Sequence, residues 1–325
     1  MRPLRLLACA ALAVAVAAPP SAAQSRRETG FGVVRLDAST RAAALAGAGA
    51  LPGDDPTALF YNPALLSPEM DGAVALSYAN LVLDVGSGAA VYARDVRGVS
   101  GAVGVRFLSY GEFDRATGGA DDGDEGTFGA SEAVVTVSAA REVRPHLRVG
   151  ATVHALFSSV DEADARALAA DVGVSLAVPG QALTLGASVH HAGVVLSSLG
   201  ESRDRLPLDV RLTATKRLQY VPLTVSLAVT DLQAFEGPAP GDSSFVGRAL
   251  DHVALGGELA LGTALTARAG YNGRRAGDLD AGGRLDLAGL SLGAGLTLRR
   301  VTVDYAYVGW SRFGGLHQFG VRTRL

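Results

Sequence analysis

Residues 147–158 read LRVGATVHALFS, and an apolar side chain occupies every second position. The row that begins at Leu147 and ends at Phe157 is wholly apolar. The intervening row, from Arg148 to Ser158, is mostly small, polar or charged. A period of two is that of a β-strand whose two faces meet different surroundings. The stretch is therefore predicted to be a strand with one aliphatic face.

The same alternation recurs along most of the chain, for example at 183–190, 208–215, 221–230, 290–299 and 318–325. The predicted strands run to roughly 10–12 residues, the length that crosses a bilayer at a tilt, whereas strands of soluble sandwiches are usually nearer 5–6 residues. Tight links such as 179–181 and 299–300 alternate with long polar connections at 111–130, 159–167, 193–206, 232–250 and 274–287. An even strand number with short turns at one end is typical of bacterial outer-membrane barrels. We predict an all-β fold, a transmembrane antiparallel barrel of about 14 strands over residues 72–325. The alternative is a soluble β-domain.

The first residues are typical of a secretory signal peptide. Arg2 and Arg5 precede an apolar run, and small residues follow it. The predicted signal peptide spans 1–23, with cleavage between Ala23 and Gln24. We therefore expect export and a place in the cell outer membrane.

Composition excludes several classes of protein. The 325 residues are 48% apolar, which is too apolar for a disordered chain. A net charge of −3 gives no reason to expect a nucleic-acid partner. The single cysteine excludes a disulfide framework.

Residues 31–70 do not show this alternation. A helix capped near Ser39 is predicted to end near Gly47. Asp54 or Asp55 then caps a further turn that starts at Pro56. An irregular apolar segment cannot face lipid. We predict that 24–71 form a short helical hatch inside the barrel lumen.

A resemblance to a known family rests on this segment. The stretch STRAAALAGAGALPGDDPTALFYNPALL, residues 39–66, resembles the N-terminal hatch of the FadL-like (PorV-like) barrel superfamily, which has fourteen strands and an Asn-Pro-Ala element. Asn62, Pro63 and Ala64 match that element. Within the superfamily the chain is most similar to the PorQ-like proteins of the type IX secretion system, over 75–85, 105–114, 206–213, 268–275 and 303–310.

Two functions follow from the resemblance. The PorQ-like proteins imply a structural barrel that anchors a PorZ-like surface protein of the cargo-attachment complex, among outer-membrane lipids and lipopolysaccharide. The wider superfamily implies instead a transporter of hydrophobic molecules with a lateral opening between strands. A continuous apolar pocket at the hatch would favour the transporter.

The sequence offers no set of catalytic residues, and we expect no enzyme activity and no cofactor. The pattern G-x-S-x-G at 289–293 lies inside a predicted strand, without the strand-to-helix elbow that an esterase needs. Strand parity directs His154, His190 and His252 into the lumen, but their spacing does not suggest a metal site. The acidic loop 111–130 resembles a solvated loop more than a calcium site.

Charged residues of both signs also face the predicted lumen. We expect them to pair with each other or with the hatch. They are Arg106, Arg148, Asp209, Arg211, Glu258, Arg268, Asp304 and Arg322.

Two further features fit a barrel. The last strand, with Phe319, Val321 and Leu325 in its apolar row, is of the kind that the barrel-assembly machinery reads. Aromatic residues near predicted outer strand ends suit the membrane interface. They are Tyr271, Tyr305, Tyr307 and Trp310.

Overall fold

A computed structural model describes residues 31–48, 53–81, 85–115, 126–200, 204–235, 245–279, 287–311 and 314–325. The predicted signal peptide and its cleavage site at Ala23 and Gln24 lie outside these ranges, and so do Asp121, Asp122, Asp124 and Glu125 of the acidic loop.

Fourteen antiparallel strands form a closed barrel in which each strand pairs with its neighbours in sequence. The barrel closes between the first and last strands, from Ala73 opposite Arg324 to Asn80 opposite His317. The predicted fold class is therefore confirmed. The strands are β1 (Ala73–Asn80), β2 (Gly86–Val96), β3 (Val99–Asp114), β4 (Thr127–Arg144), β5 (Leu147–Val160), β6 (Ala163–Val178), β7 (Leu183–Ser197), β8 (Asp209–Arg217), β9 (Leu223–Val229), β10 (Val253–Leu261), β11 (Leu265–Asn272), β12 (Leu290–Leu298), β13 (Val301–Ser311) and β14 (Gly314–Arg324).

The two faces of the strands differ as the alternation predicts. On β5 the outward Val153 is 60% exposed, whereas the neighbouring Thr152 is 1% exposed. Outward-facing aliphatic and aromatic residues recur around the barrel, and they include Leu76, Val103, Val137, Leu168, Leu255, Leu292, Val303 and Phe319. A barrel with an apolar outer band is suited to a lipid surround.

We call the two ends of the barrel the turn end and the loop end. The turn end carries short connections, such as 97–98 and 299–300, and the end of β14. The loop end carries the longer connections, which in bacterial outer-membrane barrels are the extracellular ones. Three loops are shorter than we predicted. The connection expected at 111–130 is shortened at both ends, because β3 extends to Asp114 and β4 begins at Thr127. The connection expected at 159–167 is only a tight turn at 161–162. The connection expected at 193–206 begins later, because β7 extends to Ser197.

A hatch of short helical pieces fills part of the lumen. Its helix α1 (Thr40–Ala44) is capped by the Ser39 side chain, which accepts a hydrogen bond from the Ala42 amide at 3.4 Å. Short 3₁₀ turns precede and follow α1 in the hatch, at Gly32–Arg35, Pro56–Phe60, Pro63–Leu65 and Pro68–Met70.

The loop-end connections add two further helices, α2 (Phe245–Leu250) and α3 (Gly273–Leu279). Two more 3₁₀ turns lie at Pro179–Gln181 and Leu232–Ala234. No helix within the described ranges has the length and hydropathy needed to cross a membrane.

Four apolar clusters join the hatch to the wall in the described residues, and two of them are large. One packs Leu59, Leu65, Leu66 and Met70 of the hatch against alanine and valine side chains of β2 and β3. The other surrounds Phe31 and Val33 with inward residues of β3 to β6 and with Leu206. The lumen is therefore closed on this side by packed side chains.

Candidate functional site: the hatch and the cavity above it

Asn62 fixes the hatch to the inner wall. The side chain is fully buried, and its Nδ2 donates to the carbonyl oxygen of Val174 at 3.1 Å. Its Oδ1 accepts from the Ala64 amide at 2.9 Å, so the same side chain caps the turn that begins at Pro63. An N-terminal cap of this kind satisfies a donor that the turn leaves free. The Asn-Pro-Ala element thus joins a local turn to β6.

Three glycines of the barrel wall lie against this element. A Cβ at Gly150 would lie 2.5 Å from the carbonyl carbon of Pro63. A Cβ at Gly173 would overlap the Asn62 carboxamide, and one at Gly186 would lie 3.0 Å from its Nδ2. Real Cβ atoms do not approach so closely, so these three positions let the hatch touch the strand backbone.

Helix α1 docks in the same way on the opposite wall. A Cβ at Gly256 would lie 2.9 Å from the Cβ of Leu45, and one at Gly270 would overlap the Leu45 backbone. Gly293 and Gly320 give the same close approach to Ala44 and Thr40. The hatch is therefore held between two glycine surfaces.

Ion pairs also join α1 to the wall. Arg41 donates from Nη2 to Glu258 Oε1 at 2.6 Å and from Nε to Oε2 at 2.8 Å. Arg268 extends this row of ion pairs. Its Nε donates to Glu258 Oε2 at 2.7 Å, and its Nη1 donates to Asp304 Oδ1 at 2.6 Å. Burial lowers the pKa of the Arg41 guanidinium, but the hydrogen bond and charge of Glu258 outweigh burial and place the pKa above its ordinary value.

Arg322 of β14 connects these ion pairs of the wall to the hatch. This side chain donates to Asp304 at 3.0 Å and to Asp54 at 3.2 Å. Asp55 is buried beside it and accepts from the Thr57 amide at 3.1 Å, which caps the turn at Pro56. Burial acts to raise the pKa of Asp55, but the charges of Arg322 and Arg41 and the hydrogen bonds from Thr57 hold it below its ordinary value.

The first described residues of the hatch are pinned as well. Glu132 accepts from the Val33 amide at 2.7 Å. Arg106 donates to the carbonyl oxygens of Val33 and Leu36, and its guanidinium lies 5.1 Å from the centre of the Phe60 ring. Arg148 donates from Nε to the Leu66 carbonyl at 2.9 Å. The predicted pairing of lumenal charges is confirmed, since Asp209 and Arg211 also pair with each other.

A cavity of about 540 Å³ lies between the hatch and the loop end. Its floor is the hatch segment 34–38 together with Gly47, Phe60 and Tyr61. Its walls are strand ends and loop segments of β7 to β12, which contribute His191, Asp209, Thr230, His252 and Asn272 among others. Volumes of about 300–1,000 Å³ are usual for small-molecule sites.

The lining of this cavity is mixed, not continuously apolar. Leu36, Phe60, Leu208, Leu279 and Trp310 contribute apolar surface. Arginine and aspartate side chains alternate with them, and most are paired, as Arg275 is with Asp37 at 3.4 Å. Arg274 likewise pairs with Asp231. The cavity is therefore amphipathic, and it is not the continuous apolar pocket that we expected of a transporter of hydrophobic molecules.

Arg35 differs from the other cavity arginines. Within the described part of the chain its guanidinium has no hydrogen bond or ion pair. Burial lowers the pKa of Arg35, and the charge of Arg274 lowers it further. The Arg35 side chain is exposed at the cavity floor, where the charges of Asp209 and Asp278 partly offset that of Arg274. An exposed guanidinium with free N–H groups is suited to receive an anionic group from a ligand.

The inward histidines lie where parity places them, with His154 3%, His190 0% and His252 8% exposed. Sequence reasoning missed His191 and Asp171, which join His154 in one buried group. Parity sends His191 outward, but an irregular register between β6 and β7 turns it inward.

The remaining predicted residues take simpler places. Phe319 and Val321 face outward on β14, and the Leu325 amide donates to the Gly72 carbonyl at 2.9 Å. Ser291 of the G-x-S-x-G pattern is buried in β12 and accepts from Arg275 at 3.2 Å, so it has no nucleophile elbow. Ala64 and Pro63 contact the wall as described above.

No protein-family model matches the sequence, and no curated protein matches it. Solved structures do match. The Ralstonia pickettii toluene transporter TbuX is 14% identical, with a TM-score of 0.56 over 93% of this chain and 100% of that one. The chain shares the fold of such barrels. The CymD monoaromatic hydrocarbon channel is 11% identical, with a TM-score of 0.56 over 91% of this chain and 99% of that one. A Pseudomonas aeruginosa FadL homologue is 14% identical, with a TM-score of 0.51 over 88% of this chain and 95% of that one. These neighbours are transporters and channels with the FadL-like barrel fold.

Proposed function

We propose that the barrel admits small hydrophobic molecules through the outer membrane, and that the cavity above the hatch is the place where they first bind. The observation that carries this proposal is the cavity itself, about 540 Å³ with the hatch as its floor. The fold shared with TbuX and CymD supports it, since those proteins are a toluene transporter and a monoaromatic hydrocarbon channel.

The lining indicates which hydrophobic molecules fit. Phe60, Leu208 and Trp310 offer apolar contact, while Arg35 offers an exposed guanidinium that makes no hydrogen bond within the described residues. A ligand with an apolar body and one carboxylate satisfies both. Fatty acids of medium length are the chemical class that we propose.

The wall beside the cavity has a place where the ligand could leave sideways. The ladder between β7 and β8 ends at His190 opposite Asp209, although β7 continues to Ser197. The described segment that covers this place includes the buried Leu206 and the cavity-lining Pro207. A part of the wall where a strand ladder has ended opens at lower cost than a continuously paired one.

Binding to the purified, folded barrel tests the proposal. Laurate should bind more tightly than dodecanol, its neutral analogue, because only the acid meets Arg35. Arg35→Gln should weaken laurate binding by roughly 10- to 150-fold, as expected for a lost charge-assisted hydrogen bond of about 1.5–3 kcal/mol. Arg299→Gln, at an exposed turn on the other end, is the matched control. Equal binding of acid and alcohol, or no binding at all, would overturn it.

Anchoring of a surface partner in type IX secretion is the second candidate. The two glycine surfaces and the ion-pair chain favour it, because they hold the hatch as a fixed plug. Its PorZ-like partner and the role of lipopolysaccharide stay predictions. Deleting the gene should then release type IX cargo into the medium while fatty-acid uptake stays normal. Retained cargo with lost uptake would exclude anchoring.

A further inference from the structure

Three strands bring a group of metal-ligating side chains to one point of the inner wall. His154 comes from β5, Asp171 from β6 and His191 from β7. The register of β6 and β7 shifts between Ala170 and Val172, and His191 has φ 58°. This irregularity places two successive histidines, His190 and His191, inside the barrel. One ligand atom from each of His154, Asp171 and His191 lies within 4.8 Å of the others.

His154 and Asp171 approach each other as two ligands of one ion do. Nε2 of His154 lies 2.9 Å from Oδ2 of Asp171, yet without the alignment of a hydrogen bond. The two side chains are 3% and 1% exposed. In a tetrahedral zinc site, bonds of about 2.0–2.2 Å keep ligand atoms slightly more than 3 Å apart. A small movement would bring this pair to that spacing.

The tautomer of His191 leaves a lone pair free. Its Nδ1 lies 3.1 Å from the carbonyl oxygen of Pro207, and a carbonyl only accepts, so Nδ1 carries the hydrogen. In the neutral ring, Nε2 then has an unshared pair, for which the described residues provide no hydrogen-bond donor. A histidine whose far nitrogen donates to a carbonyl is typical of metal ligands.

The surrounding groups hold the other two ligands in place. Thr136 Oγ1 lies 2.9 Å from Nδ1 of His154. The carboxylate of Asp171 accepts from the His191 amide at 2.7 Å and lies 2.9 Å from Nδ1 of His190. Its ion-pair partners in the described chain are His154 and His190, each with a ring nitrogen 2.9 Å from Oδ2.

We propose that His154, Asp171 and His191 bind one zinc ion. Two imidazoles and one carboxylate are ligands that zinc accepts, and three protein ligands leave a fourth position open. His191 and Pro207 both line the cavity at the loop end, which gives the ion a path to the site. The site does not depend on the proposed function of the cavity.

Cobalt titration tests the site directly. The purified, folded barrel is stripped with a chelator and titrated with Co²⁺ near neutral pH, and visible absorption and bound metal are measured. One Co²⁺ should bind with the absorption of a tetrahedral ion, and Zn²⁺ should displace it. His191→Gln should raise the dissociation constant by at least about tenfold. His252→Gln is the matched control, since that ring also lines the cavity and contacts a carbonyl, that of Thr230, at 2.8 Å.

Folding is checked by the heat-dependent mobility of each variant on a gel, and Asp171→Asn serves as a second ligand variant. Absence of tetrahedral absorption in the wild-type barrel would show that the group is only a hydrogen-bonded network. Unchanged affinity in a folded His191→Gln barrel would equally overturn the proposal.

Discussion

At the scale of single residues, the hatch depends on wall positions that have no side chain. Gly173 faces the Asn62 carboxamide, and an added methyl group would overlap it. Asn62 is fully buried and bonded on both sides, so it has little room to move. The close approach therefore relies on glycine and not on a flexible neighbour.

Gly173→Ala should destabilise the folded barrel by about 1–3 kcal/mol, the usual effect of overpacking. Unfolding by denaturant in detergent micelles measures the difference. Gly180→Ala is the control, because a Cβ there would meet nothing within 4 Å. Equal stability of the two variants would mean that Asn62 does not dock against β6.

Asp55 links hatch stability to pH. Its pKa lies below the ordinary value, so its stabilising effect is complete above the unfolded value of about 3.9 and disappears as the pH falls through the folded value. Asp55→Asn should remove about 1.5–3 kcal/mol at neutral pH, as expected for hydrogen bonds to a buried charge.

The same variant should flatten the loss of stability below pH 4. Denaturant unfolding at neutral and acid pH measures both effects. Asp54→Asn should change little, because that side chain is 67% exposed and its pair with Arg322 is screened by solvent. A larger effect from Asp54 than from Asp55 would contradict the assigned geometry.

At the scale of elements, periodicity predicted the strands well because each strand meets lipid on one side and packed lumen on the other. The residues on β5 show this, with Val153 outward and Thr152 inward. Strand ends were less predictable. β3 and β4 extend beyond the apolar alternation to Asp114 and Thr127, since backbone pairing continues where no membrane selects the side chains.

The site was predictable only in part. The Asn-Pro-Ala element and the cap at Asp55 were visible in the sequence because capping is local. The pairing of Arg41 with Glu258 joins residues 217 positions apart, so no local pattern reveals it. His191 was missed because the irregular register between β6 and β7 interrupts the alternation of inward and outward side chains along β7.

The packing of the lumen decides where a large side chain can be placed. An arginine in place of Thr152 would need free space on the inner face of β5. Thr152 is 1% exposed and lies 2.8 Å from the Ser138 hydroxyl, so the lumen is filled at this level. Room for a large side chain is found nearer the loop end, in the cavity.

At the scale of the whole molecule, the outer surface should show the depth dependence of a membrane barrel. Val153, opposite Val137, lies midway along the wall, whereas Val143 lies near the turn end of β4. Val153→Arg should cost about 2–4 kcal/mol on folding into bilayers, and Val143→Arg about 0–1 kcal/mol. Folding into lipid vesicles, followed on gels, measures both. Equal costs would indicate that the apolar band does not meet lipid.

Uptake of laurate by living cells tests the central claim most directly, namely that the cavity above the hatch receives hydrophobic acids for passage inward. A host strain without its own fatty-acid transporter produces either the wild-type barrel, Arg35→Gln or Arg299→Gln, with surface amounts matched. We expect faster uptake with the wild type and with Arg299→Gln than with an empty vector, and a clear loss with Arg35→Gln. Uptake equal to that of the empty vector, from a barrel that is folded in the outer membrane, would contradict the claim.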